Sequence, residues 1–172
     1  FSTSGSLNGH YFHQDLYVAQ KIFNNNPKNH LDIGSSTYGF VSNVASFRKI
    51  EIVDIRENHS SHDNIIFRKL DLSKKNITEE KKYDSISCLH VIEHFGLGRY
   101  NDKIDYNGYI KGLLNIAKLQ SKNDYFYLGT PVGKPAIVAV PLISSPDFVT
   151  VNVVVINALP AVPSELCGDG CV

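Results

Sequence analysis

No methionine occurs among the 172 residues, and the chain opens on Phe1. A trimmed or fragmentary N-terminus is the expectation. A basic excess is also lacking, with 17 Lys and Arg against 17 Asp and Glu. A nucleic-acid partner gripped through its phosphates needs such an excess, so none is expected. No apolar run is long enough to span a bilayer, and no signal-peptide pattern is seen. A cytoplasmic chain without a membrane span follows as the expectation. Cysteine is scarce and odd in number: Cys88, Cys167 and Cys171. That argues against the disulfide framework of a small secreted domain. Cys88 lies in an apolar run and reads as a small buried hydrophobe. After Lys134 there is no Lys or Arg, while five of the seven prolines fall there. Residues 1–134 carry a formal charge of +3 and residues 135–172 one of −3.

Hydrophobic residues make up 42% of the chain and charged residues 20%, enough for one domain with a real core. The organising stretch is His30-Leu-Asp-Ile-Gly-Ser-Ser-Thr-Tyr-Gly39. Leu31 and Ile33 are strand-like, Gly34 ends the run, and Phe40, Val41, Val44 and Phe47 recur at helical spacing. This predicts strand, tight turn and helix, with backbone N–H groups turned toward a ligand. Asp32 stands at the strand end, able to accept hydrogen bonds.

Upstream, His10-Tyr-Phe-His-Gln-Asp15 places two histidines beside two aromatics. Either Tyr11 and Phe12 plug the core edge, or His10, Tyr11 or His13 lines a pocket. Asp15 is expected to cap a helix that Asn24-Asn25-Asn26-Pro27 stops. Downstream, further strands are predicted at Ile50–Asp54, Ile65–Leu72, Tyr83–Leu89 and Tyr125–Leu128, with an amphipathic helix over 106–119. Asp54 follows Asp32 by 22 positions. An acid about 20 residues past a Gly-rich turn is placed to take a ribose diol. Asp32, Asp54, Asp71 and His90 all close strands. Near-continuous apolar strands alternating with helical or surface connections predict an α/β fold, a mostly parallel sheet covered on both faces. Ligands of such sheets bind at the C-terminal strand edge.

These residues resemble the class I S-adenosylmethionine-dependent methyltransferases. The matching stretches are Asp32-Ile33-Gly34, then Asp54, then Asp71-Leu72, then Leu89-His90-Val91-Ile92-Glu93-His94, over about residues 10–134. A closer resemblance is to an uncharacterised methyltransferase-like family of bacteria and nematodes, a domain of unknown function. It is carried by Tyr11–Asp15, Asp32–Ser35, Asp54-Ile55-Arg56 and Cys88 through Tyr100. The resemblance implies the Rossmann-like methyltransferase fold over 1–134 and S-adenosylmethionine as cofactor. It implies a cofactor site of Asp32, Gly34, Ser35, Ser36, Gly39, Asp54, Asp71, Leu72, Leu89 and His90. Two departures stand out. Ser36 and Tyr38 replace glycines common in the turn, and a side chain narrows the backbone approach. The tail, 135–172, does not align. An antiparallel pair would finish the sheet, and Phe148–Ile156 is a candidate strand.

Methyl transfer to a hydroxyl benefits from a base that titrates near neutrality, which favours histidine. His94, His90 and His13 are the candidate bases, with Glu93 to orient one of them. The expected acceptor is a small molecule or glycan precursor. His90-Val-Ile-Glu-His94 also fits a zinc-peptidase pattern. That chemistry needs both histidines on one helical face and a third ligand, so no metal is expected. Gly96–Tyr100 reads as a mobile loop, with Arg99 for an anionic substrate group or packed on Tyr100. Asp102 and Asp105 read as helix-entry residues. Two other classes fit the same residues: a non-catalytic nucleotide-binding or regulatory module, and a NAD-type Rossmann protein, in which the Glu-His stretch would have no role.

Overall fold

The computed structural model describes residues 9–59, 61–75, 77–78, 81–100, 102–131 and, as backbone, 152–156. Within them six strands form one sheet in the order β3-β2-β1-β4-β5-β6. The strands are β1 His30–Ile33, β2 Ile50–Asp54, β3 Ile65–Lys69, β4 Tyr83–Leu89, β5 Gln120–Gly129 and β6 Asn152–Ile156. Every pairing is parallel. The sequence crosses from β3, at one edge, back past β1 to β4. That reversal opens a crevice at the C-terminal ends of β1 and β4.

β6 corrects one expectation, since it runs parallel to β5, Tyr125 opposite Asn152, and not antiparallel. The rest of the candidate strand, residues 148–151, lies outside the described residues. β3 is shorter than expected and stops at Lys69; Leu70 N–H instead donates to Asp54 O at 2.9 Å.

The two sheet faces carry separate cores. α1 (His10–Asn25) and α2 (Ser42–Ala45) cover one face. There Val18, Ala19, Ile22, Phe40, Val41 and Val44 pack on Ile50, Ile52 and Tyr127. α3 (Gly108–Leu119) covers the other, where Ile116 and Leu119 meet Leu31, Ile33, Val53, Ile86 and Cys88. Strand alternation sends neighbouring residues to opposite cores, and each fully buried aliphatic side chain is worth about 1.5–3 kcal/mol. Burial pushes the Cys88 thiol far up, which fits its reading as an inert hydrophobe.

α1 is capped at Gly9, six residues before the expected cap at Asp15. Its end is as predicted: Asn26 takes a left-handed conformation, φ 41°, and donates its N–H to Ile22 O, and Pro27 follows. The helix expected after the Gly34 turn is a five-residue π turn, Thr37–Val41, with the one-turn α2 behind it. A helix this short has little macrodipole to offer a ligand. No described helix is long and apolar enough to cross a membrane.

Candidate functional site

Sequence alternation also builds a polar ladder inside the α1-side core. His30 and Asp32 on β1 face Ser85 and Ser87 on β4, their register partners. His30 Nδ1 lies 2.8 Å from Ser85 Oγ and its Nε2 3.2 Å from Ser87 Oγ. Ser87 Oγ donates to Asp32 Oδ1 at 2.6 Å. The serine's single proton is thereby used, so it accepts from His30 Nε2–H, and Nδ1 accepts from Ser85. Asp32 then accepts from Ser35 N–H at 3.0 Å and Ser35 Oγ at 2.8 Å. All four ladder residues are buried. Desolvation pushes His30 down to about 3. It lifts Asp32 to about 6, against the pull of Ser87 and Ser35 and with a push from Asp15. Asp32 and Ser35 therefore set the turn from inside; both Asp32 oxygens are taken within the protein.

The turn itself depends on Gly34. Its φ is +66°, and a Cβ there would stand 2.9 Å from Val91 Cγ1. Only glycine takes this conformation without strain. Gly39 serves differently, since the Asp15 carboxylate approaches within 2.7 Å of where its Cβ would be. Ser36 is exposed.

Beyond this turn the C-terminal strand ends form a cleft. Ile33 and Gly34, Val53 and Asp54, Leu70 to Ser73, and His90 and Val91 give its floor and walls. His94, Phe95, Tyr100 and Asp102 close over it. The cleft encloses a cavity of about 110 Å³ that opens to solvent. Of the expected site residues, it brings together Gly34, Asp54, Asp71, Leu72, His90 and His94. Leu89 lies in the α1-side core. His13 lies in a separate groove beside Tyr17 and Phe47. The N-terminal segment reaches the cleft through other residues: the rings of His10 and Tyr11 meet His90 at 5.2 and 4.9 Å. Tyr11 and Phe12 are not core plugs, being 56% and 41% exposed.

Asp54 presents its carboxylate to this cleft, held by Arg56. The guanidinium grips both oxygens, Nε to Oδ1 at 2.9 Å and an Nη to Oδ2 at 2.6 Å, and the Arg56 N–H adds a third bond. The Asp54 bond in turn raises the Arg56 guanidinium above its ordinary value. Arg56 also lies 4.7 Å over the Tyr100 ring, a cation–π contact. Asp71 Oδ1 accepts from Ser73 N–H and Oγ.

His90 carries the strain of the site, with φ at +56°. Non-glycine residues held there are found at functional positions at a cost of about 1–3 kcal/mol. Burial holds its imidazole below the ordinary value, against the opposing charge of Glu93. Its Nδ1 stands 3.6 Å from Glu93 Oε1, beyond hydrogen-bond length. Neither His90 Nδ1 nor Glu93 Oε2 has a hydrogen-bond partner among the described residues. Buried polar atoms without partners are rare in native structures. His94 sits on a 3-10 turn, Ile92–His94, and meets the Tyr100 ring at 6.0 Å. The two histidines thus share no helical face. No three His, Cys, Asp or Glu side chains are grouped to hold a metal among the described residues; Glu165 lies outside them.

The stretch Gly96–Tyr100, expected to be mobile, is pinned in place. Asp102 Oδ2 accepts from Gly96 and Gly98 N–H at 3.0 and 3.1 Å, and Oδ1 from Tyr100 N–H at 3.1 Å. Against the upward push of burial, these backbone bonds keep the Asp102 carboxyl low. Asp102 is thus the anchor of the loop rather than a helix-entry residue, while Asp105 accepts from Asn107 N–H at the start of α3. Arg99 packs over Tyr100 at 5.6 Å. Gly96 is at φ +81°, and a Cβ on it would fall 2.0 Å from Asp105 O. Gly96→Ala is expected to cost at least about 2 kcal/mol, from left-handed strain plus backbone overlap. A denaturant melt checks it, and an unchanged midpoint would show that the loop adapts freely.

Residues 35–140 match the model of a family described as Caenorhabditis protein of unknown function, DUF268. No curated protein matches the chain.

Proposed function

This chain belongs to that family of unknown function, and from that premise we propose that it is an S-adenosylmethionine-dependent methyltransferase acting at a hydroxyl of a small molecule or glycan precursor. The observation that carries the reading is the cleft. A glycine turn after β1, an acid at the end of β2, an acid after β3 and a strained histidine after β4 line one crevice at the strand-order reversal.

The residues fit the cofactor. Asp54 would accept from the ribose hydroxyls in place of Arg56, and Leu70, Leu72 and Val91 offer apolar walls to a purine. Bound there, the cofactor would supply a methyl group on a sulfonium, open to in-line attack. The chain's own work is alignment and proton removal. His90 is kept neutral by burial and so can accept the acceptor's proton at Nε2. Nδ1–H then faces Glu93, whose charge favours the imidazolium. Such bonds tighten on ligand binding. His94 is the second candidate base. The odd cysteine count supports a reducing, cytoplasmic setting.

A non-catalytic nucleotide-binding module is the second reading, favoured by the grip of Arg56 on Asp54. Calorimetric titration with S-adenosylhomocysteine, with NADH as competitor, tests both. Micromolar binding that NADH does not displace is the expected result. A folded chain that ignores S-adenosylhomocysteine would rule out the methyltransferase reading.

A further inference from the structure

Past Asp71 the cleft continues. Ile55, Arg56, Leu70, Asp71 and Tyr100 border both the cleft and a groove of about 930 Å³. The groove passes Lys74 and Lys103, and these two also border a hollow that holds Lys75 and Lys111. This arm collects six cations, with Arg56 and Lys69 added to those four, against the three carboxylates Glu57, Asp71 and Asp105.

Three of the cations are paired: Arg56 on Asp54, Lys69 on Glu57 at 2.7 Å, and Lys111 on Asp105. Lys74, Lys75 and Lys103 have no ion pair among the described residues; Lys103 acts on Asp105 only at longer range. They come from two loops, 73–75 after β3 and 102–107 before α3. The chain as a whole is neutral, so this local surplus is not a general basicity. Like charges gathered in a concave, partly apolar groove repel one another and focus a positive potential, which a doubly charged anion relieves. Ammonium groups on flexible stems suit phosphate as point charges.

We propose that this arm is a phosphate-binding subsite, so that the crevice takes a phosphate-bearing small molecule beside whatever its Gly34–His90 end holds. The proposal stands on the arm's own residues and is independent of the methyltransferase reading.

The test is titration of the full chain with inorganic pyrophosphate at one fixed, low ionic strength, because exposed charges are screened. Saturable one-to-one binding is expected, at least tenfold weaker in the K74Q/K103Q double variant. The control pair K28Q/K49Q, from the opposite ends of β1 and β2, should bind as the parent does. Thermal melts confirm that each variant is folded. Absence of saturable binding, or equal weakening by both pairs, would overturn the subsite. S-adenosylhomocysteine titrated in parallel keeps the two readings apart: loss of one ligand's binding with retention of the other's identifies which has failed.

Discussion

Asp54→Ala is expected to weaken S-adenosylhomocysteine binding at least 100-fold. A carboxylate that takes two hydroxyl donors makes two charge-assisted hydrogen bonds, each worth about 1.5–3 kcal/mol. Losing about 3 kcal/mol is already a factor above 100 in Kd. Asp54 is 12% exposed on its side chain, so water replaces those bonds poorly. Its substitution also frees Arg56, which then stands unneutralised beside Tyr100. Asp54→Asn should fall between parent and alanine, because the amide keeps one acceptor oxygen. Calorimetry on the three proteins reads the series directly. An alanine variant that binds within threefold of the parent would remove Asp54 from the ribose role and leave it as Arg56's partner alone.

The second large effect is a pH dependence hidden by compensation. Asp32 has a folded value near 6 against an ordinary 3.8. Its stabilising contribution is fully present below the unfolded value and is lost as pH rises through 6. His30 has a folded value near 3 against an ordinary 6.5. Its contribution is present above 6.5 and is lost as pH falls toward 3. Between pH 7 and pH 4 the two oppose each other: acidification gains about 2 kcal/mol from Asp32 and costs about 3 kcal/mol through His30. Asp32→Asn removes the gain and keeps the shape. Relative to the parent, that variant should lose about 2 kcal/mol of stability between pH 7 and pH 4, read from urea unfolding at each pH. Parallel profiles for the two proteins would mean that Asp32 titrates at its ordinary value.

Much of this molecule is legible from periodicity. The strands of 30–33, 50–54 and 83–89 are apolar runs closed by turn residues, and the acids at their ends fall on one edge because the sheet is parallel. What periodicity does not give is the far partner of a side chain. Asp32 looks like Asp54 in sequence, yet one residue is sealed under α1 and the other opens on the cleft. The signal was present as alternation: His30-x-Asp32 and Ser85-x-Ser87 are two polar period-2 pairs inside otherwise apolar strands. His13 illustrates a different limit. Each helical residue advances about 1.5 Å along the axis, so His10 and Tyr11, at the start of α1, reach His90 where His13, further along, lines another groove. The glycines of Gly96–Tyr100 make that stretch read as loose; the three backbone bonds to Asp102 that fix it depend on a chain reversal that residue types alone do not reveal.

The ladder from His30 to Ser35 also bears on how β1 and β4 find each other. On the α3 side both strands are apolar, Leu31 and Ile33 beside Ile86 and Cys88, and apolar contact alone tolerates sliding. A slip by one residue turns every side chain to the wrong face. A slip by two keeps the faces and would bring Leu89 against Asp32, leaving a sealed carboxylate opposite a methyl group, at a cost of several kcal/mol. The observed alignment, His30 with Ser85 and Asp32 with Ser87, satisfies every rung. The ladder therefore acts as a vernier: it selects one register from several that greasy packing would accept, and it ties residues 55 apart in the chain into a single cooperative unit.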